Sequence, residues 1–307
     1  MVKKIPLPIT GVMLGLAALG NLLQSYSEGL RLLCGGASAI LGILFLIKLF
    51  AYPGMVKEDM KNPIMASVSG TFPMALMLLS VYLKPFVGAG AVYLWYIGIA
   101  LHVVLILYFT QKFMMKLDVT KVFASYFIVY VGIAVAGITA PAFGMLAIGS
   151  GAFWFAFAAL LCLLALVGYR YVKFPQIPDP AKPLFCIFAA PTSLCLAAYI
   201  QSVEAKSASM VMGMLLLSSA IYLLVLIKLP SLLKLPFFPS YAAFTFPFVI
   251  TAIAAKMSLA FFTKAQISVS FLPYVVMLET AIAAVLVVYT LIRYMHFLVA
   301  APAAAKK

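Results

Sequence analysis

Three ionisable side chains fall deep inside apolar runs of this chain: His102, Lys256 and Glu279. Such groups at membrane depth are the usual material of proton relays, ion pairs and charge-coupled binding sites. Their spacing does not assemble them into a catalytic motif. The sequence holds no HExxH, no GxSxG, no P-loop and no dinucleotide fingerprint. Two histidines are too few for a histidine-rich metal site. The four cysteines, Cys34, Cys162, Cys186 and Cys195, lie singly in apolar runs and form no CxxC pair. They read as small buried hydrophobes. The expectation is a chain that is not an enzyme and carries neither metal nor cofactor.

The elements that must position those three residues follow from composition. Of 307 residues, 66% are hydrophobic and only 9% charged, against about 25% charged in a soluble domain. A bilayer is the solvent that fits. Its hydrocarbon core is crossed by about 20 apolar residues in a helix, and backbone groups inside it must pair internally. The apolar runs are continuous rather than alternating, which selects helices over a barrel. Ten spans are predicted, at 6–26, 30–50, 63–83, 87–111, 120–139, 143–169, 183–203, 207–228, 240–263 and 270–294. No polar stretch is long enough to fold alone, so residues 1–307 read as one transmembrane domain. The apolar run after Lys3 and Lys4 reads as the first span, not as a cleaved leader.

Charge orients the spans. Sixteen of the 21 Lys and Arg residues fall on the side shared by the two termini, whereas Arg31, Lys84, Lys206 and Lys264 fall opposite and Lys256 lies within a span. Cytoplasmic loops carry the Lys/Arg excess, which predicts both termini in the cytoplasm and the chain in the inner (plasma) membrane. The net charge of +14 is then mostly topogenic. The basic residues are scattered over short loops, so nucleic acid is not an expected partner.

A repeat runs through the spans. Gly15, Pro73, Gly132, Pro191 and Pro247 occupy one helix-breaking position in five consecutive hairpins, with intervals close to 58 residues. Proline kinks a helix there and glycine permits a similar bend or a close approach, so the five are expected as kinks that line the pore. The repeats are approximately 6–50, 63–111, 120–169, 183–228 and 240–294. Two helices per unit give every unit the same orientation, so the repeats are parallel about an axis along the membrane normal. The odd spans contain 20 Ser, Thr, Asn and Gln residues and the even spans 11. The more polar, interrupted odd helices are therefore expected to surround a central pore, with the even helices outside. Thr71, Thr192, Thr245 and Lys256 are candidate polar residues of the pore or its vestibule. The alternative is that the hydroxyls bond helix to helix or to their own backbone.

The segments PLPITGVMLGLAAL (6–19), NPIMASVSGTFP (62–73), LFCIFAAPTSLCLAAYI (184–200) and YAAFTFPF (241–248) resemble the TehA or tellurite-resistance/dicarboxylate transporter (TDT) family, homologues of plant guard-cell slow anion channels. With the ten-span layout, the resemblance covers essentially the whole chain. It implies ten helices with quasi-fivefold symmetry about a central pore, a homotrimer with one pore per subunit, and a phenylalanine of the ninth helix as gate. In Phe244-Thr245-Phe246-Pro247 that residue is Phe246. This chain departs from the family pattern at Met13, where a proline is common, and at Tyr126 and Gly132 in a fifth helix without an internal proline.

The resulting expectation is an anion channel that passes small anions through a pore of hydroxyls and few fixed charges, plugged by Phe246. The alternative is a secondary transporter, either a proton-linked carrier of four-carbon dicarboxylates or a sulfite or tellurite exporter. Lys256 and Glu279 lie at depths that differ by about 6 Å at 1.5 Å per residue. They are expected to form a buried ion pair, with Lys256 as an outer anion attractor as the alternative.

Overall fold

The computed structural model describes residues 2–300. Its regular structure among these residues is helical throughout. Eight stretches are long and apolar enough to cross a membrane. The longest, 52 residues over 63–114, turns back on itself at Gly88, where φ is 61°, and so contributes two spans. The shorter Ile9–Leu23 adds a tenth segment. Helix thus lies over each of the ten expected stretches. We name them α1 (Ile9–Leu23), α2 (Glu28–Ala51), α3 (Thr71–Val87), α4 (Ala91–Phe109), α5 (Ala134–Thr139), α6 (Leu146–Lys173), α7 (Ala190–Ser202), α8 (Ala208–Leu233), α9 (Phe246–Lys264) and α10 (Leu272–Ala300). The C-terminal Lys306 and Lys307 that entered the charge argument lie outside the described residues.

Odd and even segments differ in continuity. The even helices run unbroken across the layer. The third segment is split into Pro63–Val68 and α3, and the fifth into Tyr126–Val131 and α5. The seventh and ninth begin as 3-10 turns, Asp179–Ala189 and Pro239–Phe244, before α7 and α9 take over. Prolines sit at the restart of the chain. Pro191 and Pro247 occupy the first turn of α7 and α9, and Pro73 the third position of α3. There the missing N–H has no intrahelical partner to lose and the fixed φ suits the helix. These prolines open second halves; they do not kink continuous helices, which corrects the sequence expectation.

The odd segments close on one another. α1 packs on α3 and α9, α3 on α5, α5 on α7, and α7 on α9, which completes a ring. Each even helix packs on the odd helix before it. Burial follows the same division: 83% of the seventh segment's apolar window is buried and 67% of the fifth's and ninth's, against 28% for α6, 33% for α2 and α8 and 39% for α10. Large apolar side chains such as Ile43, Leu107, Leu161, Leu224 and Met277 project outward from the even helices, where lipid would cover them.

Lipid offers no hydrophobic drive between helices, so close approach of small residues must supply the packing. Gly15 shows this. A Cβ added there would stand 2.4 Å from Thr245 Cβ and 3.2 Å from the Phe246 backbone nitrogen. It is a contact point between α1 and the ninth segment, and not a bend. Cations at the ends of even helices hold the odd segments from outside: Lys48 Nζ donates to Ile5 O at 2.5 Å, and Arg170 Nη2 to Thr120 O at 3.2 Å.

The expected Lys256–Glu279 ion pair does not form. Lys256 Nζ turns toward the end of α1, donating to Leu22 O at 2.9 Å and to Ser25 Oγ at 2.5 Å. Glu279 is buried, and its Oε2 has no hydrogen-bond partner. The lysine sits on the face of α9 toward α1, and that contact satisfies it without the carboxyl on α10. The four ion pairs among the described residues are all local i,i+3 pairs, Glu28–Arg31, Glu58–Lys61, Asp118–Lys121 and Asp179–Lys182.

Gly15→Ala is expected to destabilise the fold by about 1–3 kcal/mol through overpacking, measured as a lower thermal midpoint in detergent. Gly36→Ala, where an added Cβ meets nothing within 4 Å, should leave the midpoint in place. Equal midpoints for the two variants would contradict the tight α1–α9 contact.

Candidate pore

A central cavity of ≈ 50 Å³ lies inside the ring of odd segments, and all five contribute to its wall. Fourteen of the twenty lining positions fall at three-residue spacing within their segments, and Phe127, Gly132, Pro191, Leu194, Ala242 and Pro247 fill the wall between them. The fourteen begin with Pro8, Gly11 and Leu14 in the first segment and Val68, Thr71 and Met74 in the third. Ile128 and Val131 follow in the fifth, Leu184, Ile187 and Ala190 in the seventh, and Ser240, Ala243 and Phe246 in the ninth. In the seventh and ninth segments these positions fall in or just after 3-10 turns. A 3-10 helix has three residues per turn and eclipses i with i+3, so a single file of side chains faces inward. The 3-10 start is thus the local structure that builds this wall.

Farther along the same segments lies a second cavity of ≈ 290 Å³, lined by residues of the first, third, fifth and ninth segments, among them Asn21, Leu78, Ile138, Ile250 and Lys256. One described residue borders both cavities: Phe246. Its ring is 6% exposed. The rings on either side are held by aromatic neighbours, Phe244 against Tyr241 at 4.7 Å and Phe248 edge-on to Tyr222 at 5.7 Å. Phe246 takes part in neither contact.

The hydroxyls of the odd segments are used between segments more than toward the cavity. Thr10 and Thr71 bond across the first and third at 2.7 Å, and Ser67 donates to Ser125 across the third and fifth at 2.7 Å. Ser193 reaches Thr251 across the seventh and ninth at 3.2 Å, and Thr245 donates to Gly11 O across the ninth and first at 3.0 Å. The cavity wall is left almost wholly apolar, with Thr71 and Ser240 as its hydroxyls. No ionisable side chain borders it. The expected hydroxylated conduit is corrected accordingly: the odd helices are the more polar set because their hydroxyls join the ring.

Of the residues singled out in the sequence, Phe246, Gly132, Pro191, Pro247 and Thr71 line the central cavity, and Lys256 the second. Gly15 and Pro73 do not line it. Gly15 faces Thr245, and the Pro73 carbonyl faces Gly98 of α4. Thr245 is turned to Gly11, and Thr192 is buried with no hydrogen-bond partner for its hydroxyl. His102 has a role that sequence reasoning missed. Its Nε2 lies 2.9 Å from Val129 O; a carbonyl only accepts, so Nε2 carries the hydrogen. The ring thus satisfies a carbonyl at the break in the fifth segment, and Gly132 leaves space for it: a Cβ there would lie 2.8 Å from His102 Cε1. Asn21, beside Lys256 in the second cavity, was also missed, although a lone amide in an apolar span was a signal for it.

No curated protein matches the chain. Residues 4–295 match the family described as SLAC1, voltage-dependent anion channel. That match spans every segment that walls the two cavities, and its breadth agrees with a helical, multi-pass membrane architecture. The chain belongs to this SLAC1 family of anion channels and transporters, the TehA/TDT group that its sequence resembles.

Proposed function

We propose that the chain is an anion channel whose route runs down the ring of five odd segments and is shut by the ring of Phe246. The observation that carries this reading is that Phe246 alone among the described residues borders both cavities. An apolar side chain at that point blocks hydrated ions without any charge to bind them. Opening moves the ring toward the second cavity, whose ≈ 290 Å³ exceeds the roughly 150 Å³ that accommodates a benzene molecule in an engineered protein cavity. The adjoining Leu14, Met74, Ala190 and Pro247 supply an apolar constriction that small anions cross partly dehydrated.

The wall offers no cationic cage, so selection rests on ease of dehydration and on the electrostatic field at the two ends. The Lys/Arg-rich end supplies one positive field, and Lys256 with Asn21 supplies another in the second cavity. The positive-inside rule places the basic end and both termini in the cytoplasm of a cell with the protein in its inner (plasma) membrane. Five hairpins in one orientation, quasi-fivefold about the pore, make the unit, and three such units the homotrimer. A proton-coupled carrier needs a titratable group on the route. The central cavity has none among its lining residues, and Lys256 in the second is engaged with Leu22 O and Ser25 Oγ. A constriction free of titratable groups supports the channel over the dicarboxylate, sulfite or tellurite carrier.

Phe246→Ala is expected to give a constitutive anion conductance at least tenfold above the parent in planar bilayers or proteoliposomes. A variant as silent as the parent would remove the gate from residue 246. In the Phe246→Ala background, Lys256→Gln is expected to lower anion conductance severalfold at low ionic strength and much less near 1 M salt, where the Debye length is about 3 Å. A loss independent of salt would exclude an electrostatic role for Lys256.

A further inference from the structure

A third cavity lies apart from the pore. It is a cleft of ≈ 520 Å³ at the basic end, where the loop before the third segment meets the turn after α4. Four lysines, Lys61, Lys112, Lys116 and Lys121, face it together with Glu58 and Asp118. The two carboxylates are already engaged. Glu58 pairs with Lys61 at 2.6 Å and Asp118 with Lys121 at 3.1 Å. Asp118 also accepts from the Thr120 hydroxyl at 2.6 Å, and this bond, with Lys121, holds its carboxyl below the usual carboxylate range. Two cations remain uncompensated. Lys112 donates to Tyr108 Oη at 2.8 Å and stacks over Tyr108 and Phe113, which fixes its direction and leaves it two free protons. Lys116 makes no hydrogen bond or ion pair among the described residues. The helix that carries Lys112 widens into one π turn, Thr110–Met114, a distortion frequent at functional sites.

We propose that this cleft binds a phosphate group, carried on a lipid headgroup or free in solution, through Lys112 and Lys116. A monoester or diphosphate brings two or more negative charges and at least three acceptor oxygens for the two ammonium groups, and a phosphodiester headgroup brings one charge and two non-bridging oxygens, one for each lysine. Basic clefts at the cytoplasmic ends of membrane helices recognise headgroups by this same chemistry. The cleft is larger than one phosphate, which suits a phosphodiester or a diphosphate. It also touches the pore's own framework. Tyr126 lines the cleft, its ring set edge-on to Phe109 at 4.8 Å, and the next two residues, Phe127 and Ile128, line the central cavity. Occupancy therefore acts on the fifth segment at the pore wall. The site stands independently of any gate at Phe246.

The test uses the purified full chain in neutral detergent, with thermal unfolding followed as inorganic pyrophosphate, or separately short-chain phosphatidylglycerol, is titrated. Three chains are compared: the parent, Lys112→Gln/Lys116→Gln, and the control Lys228→Gln/Lys234→Gln on the same basic end. The expected result is a saturable rise in midpoint for parent and control, with half-saturation at least tenfold weaker in the cleft variant. Lys116→Gln alone, at a side chain without a partner, repeats the comparison if the double variant folds poorly. A response to pyrophosphate identifies a soluble phosphate, and a response to the lipid alone a headgroup. No rise with either ligand, or equal half-saturation in all three chains, overturns the proposal.

Discussion

A helix that breaks inside a bilayer frees backbone donors and acceptors where no water can take them. Most of this structure is arranged around that constraint. The third and fifth segments break, the seventh and ninth change from 3-10 to α winding, and side chains reach the backbone near these points. The hydroxyl oxygens of Thr10, Thr71 and Thr245 lie 3.0 Å from Leu7 O, 2.8 Å from Val68 O and 2.7 Å from Ala242 O, so the single proton of each is shared between its own backbone and the neighbouring segment. Thr251 reaches Ala189 O at 3.1 Å, and His102 caps Val129 O. Several of these hydroxyls bond the neighbouring odd segment as well. At Thr10, Thr71 and Thr245 the contact to the segment's own backbone and the joint to the next odd segment fall on one hydroxyl.

The same economy of polar groups shapes the pore. A hydroxyl that repairs backbone and joins helices has little capacity left for a passing ion. What lines the central cavity is then mostly Gly, Ala, Val, Leu, Ile, Met and Pro, with two aromatic rings, Phe127 and Phe246, of which Phe246 also borders the second cavity. Charge is kept to the ends, on Lys256 at one and on the lysine-rich surface at the other. An uncharged, narrow, apolar constriction suits a conduit that passes weakly held anions and closes by an aromatic plug better than it suits a carrier that must bind its cargo and a proton.

The ten segments were legible because each apolar run is long enough to span, and the inner ring because polar residues and prolines concentrate in the odd runs. The place of Phe246 between the two cavities was signalled by the resemblance carried by its short motif; periodicity alone could not distinguish it among 24 phenylalanines. Three features were not legible. Gly15 looked like a hinge because a sequence shows a missing Cβ but not the neighbour that needs its space. The Lys256–Glu279 pair looked sound on depth, but depth ignores rotation about the helix axis, and rotation turns Lys256 to α1. The hydroxyls looked pore-facing because composition reports which helix is polar and not where each group points. The roughly 58-residue marker is also out of register: the cavity-lining positions of the first and third segments are 60 residues apart, so Pro73 matches Met13, two positions before Gly15.

The central claim, that anions travel inside the ring of broken odd segments, is tested most directly by a reversal potential. Phe246→Ala channels, with and without Ala190→Glu, would be measured in planar bilayers under a potassium chloride gradient. Ala190 lines the central cavity on the seventh segment, across the ring from α1 and α3. The account predicts a reversal potential near chloride equilibrium for Phe246→Ala alone and a shift toward potassium once the carboxylate stands in the wall. An unchanged potential and conductance would place the ion route somewhere other than this cavity.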